Sequence, residues 1–315
     1  MRIVVLSGGV GGAKFADGLA RAMPAEDLTV IVNTGDDFEH LGLRISPDLD
    51  TVVYTLAGLA NPETGWGRAD ESWSFFETLG TLGGPTWFRV GDRDLALHIE
   101  RTRRLRAGEP LSRVTRDLAR RMGVGTAVLP MSEDPTPTIV LTEEGPLPFQ
   151  EYFVARGWEP RVKGFRFEGM DRARPAPGVL QAIDYAQAVL LGPSNPWVSL
   201  DPILAVPGIR EAMVGKRVAA VSPIVGGRAL KGPAAKMFAE LGVPPSAAAI
   251  ARHFRGTLTD FVLDDVDRES EEEIHGLGMK VWIADTVMRS VEARTRLAGE
   301  VLGFLGQPVP ERGAV

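Results

Sequence analysis

The chain has 315 residues, 44% hydrophobic and 24% charged, an ordinary globular composition with length for one large domain or two. Its 35 Lys and Arg stand against 41 Asp and Glu, a formal charge of −6, so no overall basic footprint speaks for nucleic acid or an acidic membrane surface. There is no cysteine, which excludes disulfides, thiol nucleophiles and Cys-ligated metals. The apolar run Ile3–Leu6 is too short for a signal-peptide core, and no stretch reaches the roughly 20 residues of a spanning helix, so a cytoplasmic protein is expected.

Taken in chain order, Ile3–Leu6 is a continuous apolar run of the kind that forms a strand buried on both faces of a parallel sheet. The turn Ser7-Gly8-Gly9-Val10-Gly11-Gly12 follows, then a helix with Phe15, Leu19 and Met23 on one face, then a second buried strand at Leu28–Val32. This is a β-α-β unit of the expected size. A helix is expected over Thr51–Leu59, and residues 60–122 read as an amphipathic helical insertion rich in Arg and Trp. Strand signals return at Thr126–Leu129 and Thr138–Leu141. Parallel-type strands follow at Ala188–Leu191, Val218–Val221, Thr259–Leu263 and Lys280–Ala284, before a C-terminal helix from about Asp285 to Phe304 and a polar, loose tail from Gly306. The alternation predicts an α/β fold: a Rossmann-like, doubly wound, mainly parallel sheet formed by residues 1–59 and 123–315, with 60–122 inserted.

In such sheets ligands sit beyond the carboxyl ends of strands, so the loops after strands are the candidates. At Ser7–Lys14, the glycines Gly9, Gly11 and Gly12 would let backbone N–H groups approach a phosphate at a helix N-terminus, with Lys14 beside them. The spacing is neither the dinucleotide fingerprint nor a P-loop, since Gly11 is followed by Gly12-Ala13-Lys14-Phe15. After the second strand comes Asn33-Thr34-Gly35-Asp36-Asp37, with Asp48 and Asp50 close behind. Carboxylates so grouped suit a magnesium or hydroxyl site, with Asp36, Asp37 and Asp48 as metal candidates and Asp48 and Asp50 as catalytic ones; helix capping by Asp48 or Asp50 is the plain alternative. Ser194 and Asn195, in Gly192–Pro196, offer hydrogen bonds to phosphate or base, or simply form a turn. Ser222, Gly226 and Lys231 suggest a weaker second anion site. Trp87 and Arg89, within Trp87–Asp94, could line a flat aromatic ligand and clamp an anion, or form a solvated helix junction. The four histidines show no metal-ligand spacing, and the acid-rich stretch Asp264–Glu273 reads as solvated surface.

These segments together resemble the 2-phospho-L-lactate transferase family of deazaflavin coenzyme F-420 biosynthesis. The matching pieces are Leu6–Lys14, Asn33–Asp37, Leu43–Tyr54, Gly65-Trp66-Gly67, Trp87–Asp94, Gly192–Pro196 and Ser222–Pro233, in the family's order along nearly the whole chain. The resemblance implies a guanosine diphosphate-linked donor bearing lactate, or enolpyruvate in bacteria, and a deazaflavin acceptor, 7,8-didemethyl-8-hydroxy-5-deazariboflavin. It further implies attack of a ribityl hydroxyl on the β-phosphorus with loss of GMP, a requirement for magnesium, and a homodimer. The family's deazaflavin contacts fall on Asp50 and Arg89. Two other readings stay open: a non-catalytic nucleotide-sugar-binding regulator on the same core, and a nicotinamide dehydrogenase, which the broken fingerprint disfavours.

Overall fold

A computed structural model describes residues 1–306; the expected loose tail lies outside the described residues, apart from Gly306, which ends the last helix. Seven strands form the central sheet: β1 (Ile3–Ser7), β2 (Leu28–Val32), β3 (Ala127–Pro130), β4 (Ala188–Leu191), β5 (Arg217–Val221), β6 (Asp260–Asp264) and β7 (Lys280–Ala284). All neighbours pair parallel, in the order 3-2-1-4-5-6-7. The five inner strands are buried on both faces, which is why unbroken apolar runs rather than alternation mark them, whereas the edge strands β3 and β7 are only partly covered. Ile3 and Val5 face one apolar layer with Phe15, Leu19, Val52 and Val301, while Val4 and Leu6 face the other with Ile183, Ile203 and Phe254. The result is the doubly wound α/β fold expected from the sequence.

Strand order reverses between β1 and β4, where Ile3 pairs with both Leu28 and Ala188. The loops leaving those two strands, the glycine turn and Gly192–Pro196, therefore emerge side by side at the switch point. The helix Gly9–Ala22 leads back along the sheet; Met23, expected within it, lies just past its end. The hairpin Phe38–His40 and Leu43–Ile45 turns on Leu41 and Gly42, both at positive φ (54° and 72°), as a two-residue hairpin turn requires. It returns the chain to Pro47–Leu56, a helix that starts earlier and ends sooner than the sequence suggested.

Segment 60–122 contains the helices Ser74–Thr81, Asp92–Arg106 and Leu111–Arg121. The last of these packs Ala119 into the sheet's own core. Thr138–Thr142 is a strand, but not in the parallel sheet. It pairs antiparallel with Gly145–Pro148 and Val162–Phe167, a separate small sheet that a short apolar run could not reveal by itself. The C-terminal helix begins at Val291, later than expected. The acid-rich stretch is not all solvated. Asp264 is buried and accepts from Thr286 N and Oγ1, while Asp267 accepts from the N–H of Gly226.

Candidate active site at the switch point

The glycine turn divides its glycines between two tasks. Gly9 sits at φ 62°, with open space where a Cβ would stand. A Cβ on Gly11 would meet the Pro193 carbonyl oxygen at 2.2 Å, and one on Gly12 would meet Ser194 Oγ and Ser7 Oγ, both at 2.5 Å. Gly11 and Gly12 thus let the helix start lie against the loop after β4, while Gly9 opens toward the site. Ser194 Oγ closes the seam, donating to Gly8 O at 2.8 Å and accepting from Gly8 N at 3.3 Å. The first-turn N–H groups of Gly9–Ala22 have no partner within the helix and face the same end of the sheet.

Four carboxylates gather beside this turn. Asp48 accepts from Gly9 N at 2.7 Å and from Asn33 Nδ2 at 2.9 Å, so it lies against the cradle rather than capping its own helix. Asn33 ties the group together, since its Nδ2 also donates to Val198 O and its Oδ1 accepts from Gly35 N. The hairpin brings Asp37 back to Ser46, whose Oγ donates to Asp37 Oδ2 at 2.7 Å. Burial, then the neighbouring charge of Asp48, pushes the Asp36 carboxyl well above the ordinary carboxylate range. Burial likewise raises Asp48, against the hydrogen bonds from Asn33 and Gly9, and lifts Asp37 to about 7. The Oδ1 atoms of Asp36 and Asp37 have no hydrogen-bond partner.

Asp50 is different, because a buried guanidinium faces it. Arg101 Nη1 donates to Asp50 Oδ2 at 3.0 Å, and Nη2 donates to Oδ1. His98 lies beside this pair, its Nδ1 3.7 Å from Asp50 Oδ2 and its Nε2 3.2 Å from Asp94 Oδ2, while Tyr54 Oη donates to Asp94 Oδ1 at 2.6 Å. Burial would raise the Asp94 carboxyl, but the hydrogen bond and charge of His98 hold it below its ordinary value. The sequence reading gave no metal role to histidine. Among the described residues, however, the acid–histidine group whose ligand atoms all lie within 4.8 Å is Asp50, Asp94 and His98, rather than Asp36, Asp37 and Asp48. Arg101 and Tyr54 already occupy two of that group's carboxylates, whereas Asp36 and Asp37 present unpartnered oxygens. By the same test of unoccupied carboxylate oxygens, a hard divalent cation, which takes one or two carboxylates together with phosphate oxygens, fits better beside Asp36 and Asp37.

A cavity of about 260 Å³ opens past the ends of β2 and β3, lined by Asp36, Asp37, Phe38 and the segment 132–138. The hydroxyls of Thr34, Thr136 and Thr138, also in its wall, have no partner. Trp87 stands near Phe38 and His40, at centroid distances of 5.9 and 5.2 Å, at the edge of the same region. Arg89 is exposed and lies over Trp73, its guanidinium carbon 4.4 Å from the ring centroid. Asp50 thus pairs with Arg101, not with Arg89.

The remaining candidates are largely engaged elsewhere. Asn195 caps the turn Pro196–Leu200 by accepting from Trp197 N and Val198 N. Ser222 Oγ is held by Ile224 and the Gly226 N–H by Asp267, so neither donor is free for an anion as expected. Lys231 Nζ donates to Thr64 O, pinning the turn around Gly65 over Val10. Lys14 reaches Met288 O at 3.4 Å, and burial, with Arg294 and Lys231 nearby, lowers its pKa.

Sequence reasoning missed Tyr54, Asp94, His98 and Arg101. A signal was available: Asp94, His98 and Arg101 recur at four- and three-residue steps along one helix face, so polar groups there share a buried side.

The order of strands, the glycine turn at the reversal and the carboxylates beside it define a Rossmann-like α/β protein with a candidate ligand site at the switch point. A profile of the family described as "2-phospho-L-lactate transferase CofD" matches residues 3–294. The chain is 46% identical to a phosphoenolpyruvate transferase of Streptomyces griseus over 310 residues, 96% of this chain and 98% of that one. It is 39% identical to a 2-phospho-L-lactate transferase of Methanosarcina acetivorans over 302 residues, again 96% and 98%. Among solved structures, a UPF0052-family protein of Bacillus halodurans superposes with a TM-score of 0.64 at 16% identity, covering 96% of this chain and 98% of its own, which speaks to the fold alone. The chain belongs to the 2-phospho-L-lactate transferase CofD family and is a transferase by that membership. Among the described residues, no helix is long and apolar enough to cross a membrane.

Proposed function

We propose that this protein transfers a substituted phosphate, phosphoenolpyruvyl or phospholactyl, from a guanosine diphosphate-linked donor to the ribityl hydroxyl of 7,8-didemethyl-8-hydroxy-5-deazariboflavin, in coenzyme F-420 biosynthesis. The observation behind this reading is the contact of Asp48 with Gly9 N, which sets a buried carboxylate cluster directly against a glycine-opened helix N-terminus. Higher identity to phosphoenolpyruvate transferases than to 2-phospho-L-lactate transferases favours the enolpyruvyl donor.

In the reaction, the hydroxyl oxygen forms a bond to the β-phosphorus as the bond to the bridging oxygen breaks, and GMP leaves with that oxygen. Asp50 receives the hydroxyl's hydrogen bond and then its proton; a bidentate guanidinium still leaves carboxylate lone pairs for this. First-turn helix N–H groups beyond Gly9, whose own N–H is given to Asp48, hold the donor's phosphates, and Lys14 adds positive charge behind them. The aromatic wall around Trp87 and the Arg89 guanidinium take the flat deazaflavin. Asp36 and Asp37, with Asp48 beside them, would hold magnesium, which would offset the charge of the phosphates. Positioning and charge neutralisation are the main demands of phosphoryl transfer, so no strongly basic group is needed. The same reading takes the protein to be a cytoplasmic homodimer, and sedimentation velocity tests the dimer.

Purified protein incubated with donor, deazaflavin and magnesium should release one GMP per acceptor consumed, followed by chromatography. Absence of GMP with tight donor binding would instead support the non-catalytic regulator.

A further inference from the structure

The helix Asp92–Arg106 turns buried polar residues toward the carboxylates, and one of them reaches across to the neighbouring helix Pro47–Leu56. Arg101 is only 3% exposed. Its two terminal nitrogens meet the two oxygens of Asp50, and Nη1 also lies 3.4 Å from Arg44 O. A planar fork on both carboxylate oxygens fixes the rotation of that carboxylate as well as its place. The fork has its own support, since His98 Nδ1 lies 3.4 Å from Arg101 Nη1 on the preceding turn, and His98 in turn faces Asp94, which Tyr54 holds. Its charge acts on Asp37 as well as on Asp50, while Arg44 is exposed. A buried cation here offsets the repulsion between Asp37 and Asp50.

We propose that Arg101 is the positioning residue of this site: it touches no substrate, but holds Asp50 in the one orientation that meets the acceptor hydroxyl. The inserted segment thereby shapes the catalytic carboxylate as well as the acceptor's aromatic wall. This rests on the reading of Asp50 as the carboxylate that engages the acceptor.

The test is a double-variant cycle in the GMP-release assay, with melting curves on every protein. Arg101→Met keeps much of the side-chain volume and removes the fork. It is expected to lower kcat by about 100-fold, the scale of a misplacement near 1 Å, with little change in donor KM. Arg101→Lys restores charge without two-point geometry, so its kcat should fall between the two. In an Asp50→Asn background, Arg101→Met should add less than about a twofold further loss, because the two residues act as one unit. The proposal is overturned if Arg101→Met melts like the wild type and keeps its kcat, or if the losses multiply in the double variant. Should Arg101→Met fail to fold, Arg101→Lys decides, and wild-type kcat in that variant overturns the proposal. Full turnover by Asp50→Asn would overturn the role of Asp50 itself; an inactive Asp50→Asn beside an unaffected Arg101→Met overturns only the role of Arg101.

Discussion

Replacing Asp37 by asparagine should make the protein more stable and less active. Burial lifts this carboxyl from its ordinary 3.8 to about 7, against the hydrogen bond from Ser46 and the charge of Arg101. At about 1.36 kcal/mol for each tenfold change in proton affinity, the full rise corresponds to roughly 4 kcal/mol of stability withheld above pH 7. Asp37 is half-buried as a residue rather than fully enclosed, so about 2 kcal/mol is the working figure. Asparagine keeps an oxygen for the Ser46 hydroxyl and carries no charge, though its amide faces the side where Oδ1 has no partner. The sign follows from proton linkage. Between pH 4 and 7 the folded state binds the proton that the unfolded state has released, so wild-type stability declines as pH rises through that window. Urea titrations of both proteins at pH 8 and pH 4.5 measure it. The variant should be more stable by about 2 kcal/mol at pH 8, and the gap should shrink markedly at pH 4.5. A variant less stable than wild type at pH 8, or a gap indifferent to pH, would refute the electrostatic reasoning and leave Asp37 as an ordinary structural acid.

Gly11→Ala places a methyl against the Pro193 carbonyl and should cost about 1–3 kcal/mol in a urea melt, whereas unchanged stability would mean the two loops do not press together. Arg89→Ala removes the cation over Trp73 and should raise the acceptor's KM roughly fivefold, the equivalent of about 1 kcal/mol, with the donor's KM unchanged in the same steady-state assay. Chelation with EDTA should abolish GMP release and added magnesium restore it. Magnesium should also raise the melting temperature of the wild type but not of Asp36→Asn, and equal shifts in both would move the cation site elsewhere.

Much of the architecture was legible because it depends on short-range chemistry. Ile3–Leu6 and Leu28–Val32 read as doubly buried strands because a strand covered on both faces needs an apolar residue at every step. The glycine turn stood out for the same local reason, and the carboxylates at 36, 37, 48 and 50 were visible as a cluster along the chain. Thr138–Thr142 shows the limit: five residues announce a strand, but which sheet it joins depends on partners at 145–148 and 162–167.

What the tertiary structure alone decided is how those loops use their atoms. Sequence marked Gly11, Gly12, Ser222 and Gly226 as phosphate ligands by composition; contact geometry adds that Gly11 and Gly12 must lack a Cβ for the loops to pack, and it gives the Gly226 N–H to Asp267. It could mark Asp50, yet not that Arg101 holds it, since 51 positions of chain separate the pair and only helix packing brings them together. Burial is a property of the assembled protein, and burial pushes the carboxyls of Asp36, Asp37 and Asp48 upward. Residue order therefore determined which strands and turns form, through local sterics and apolar pattern. Packing determined the charge each buried group can bear, because that depends on neighbours the chain meets only when folded.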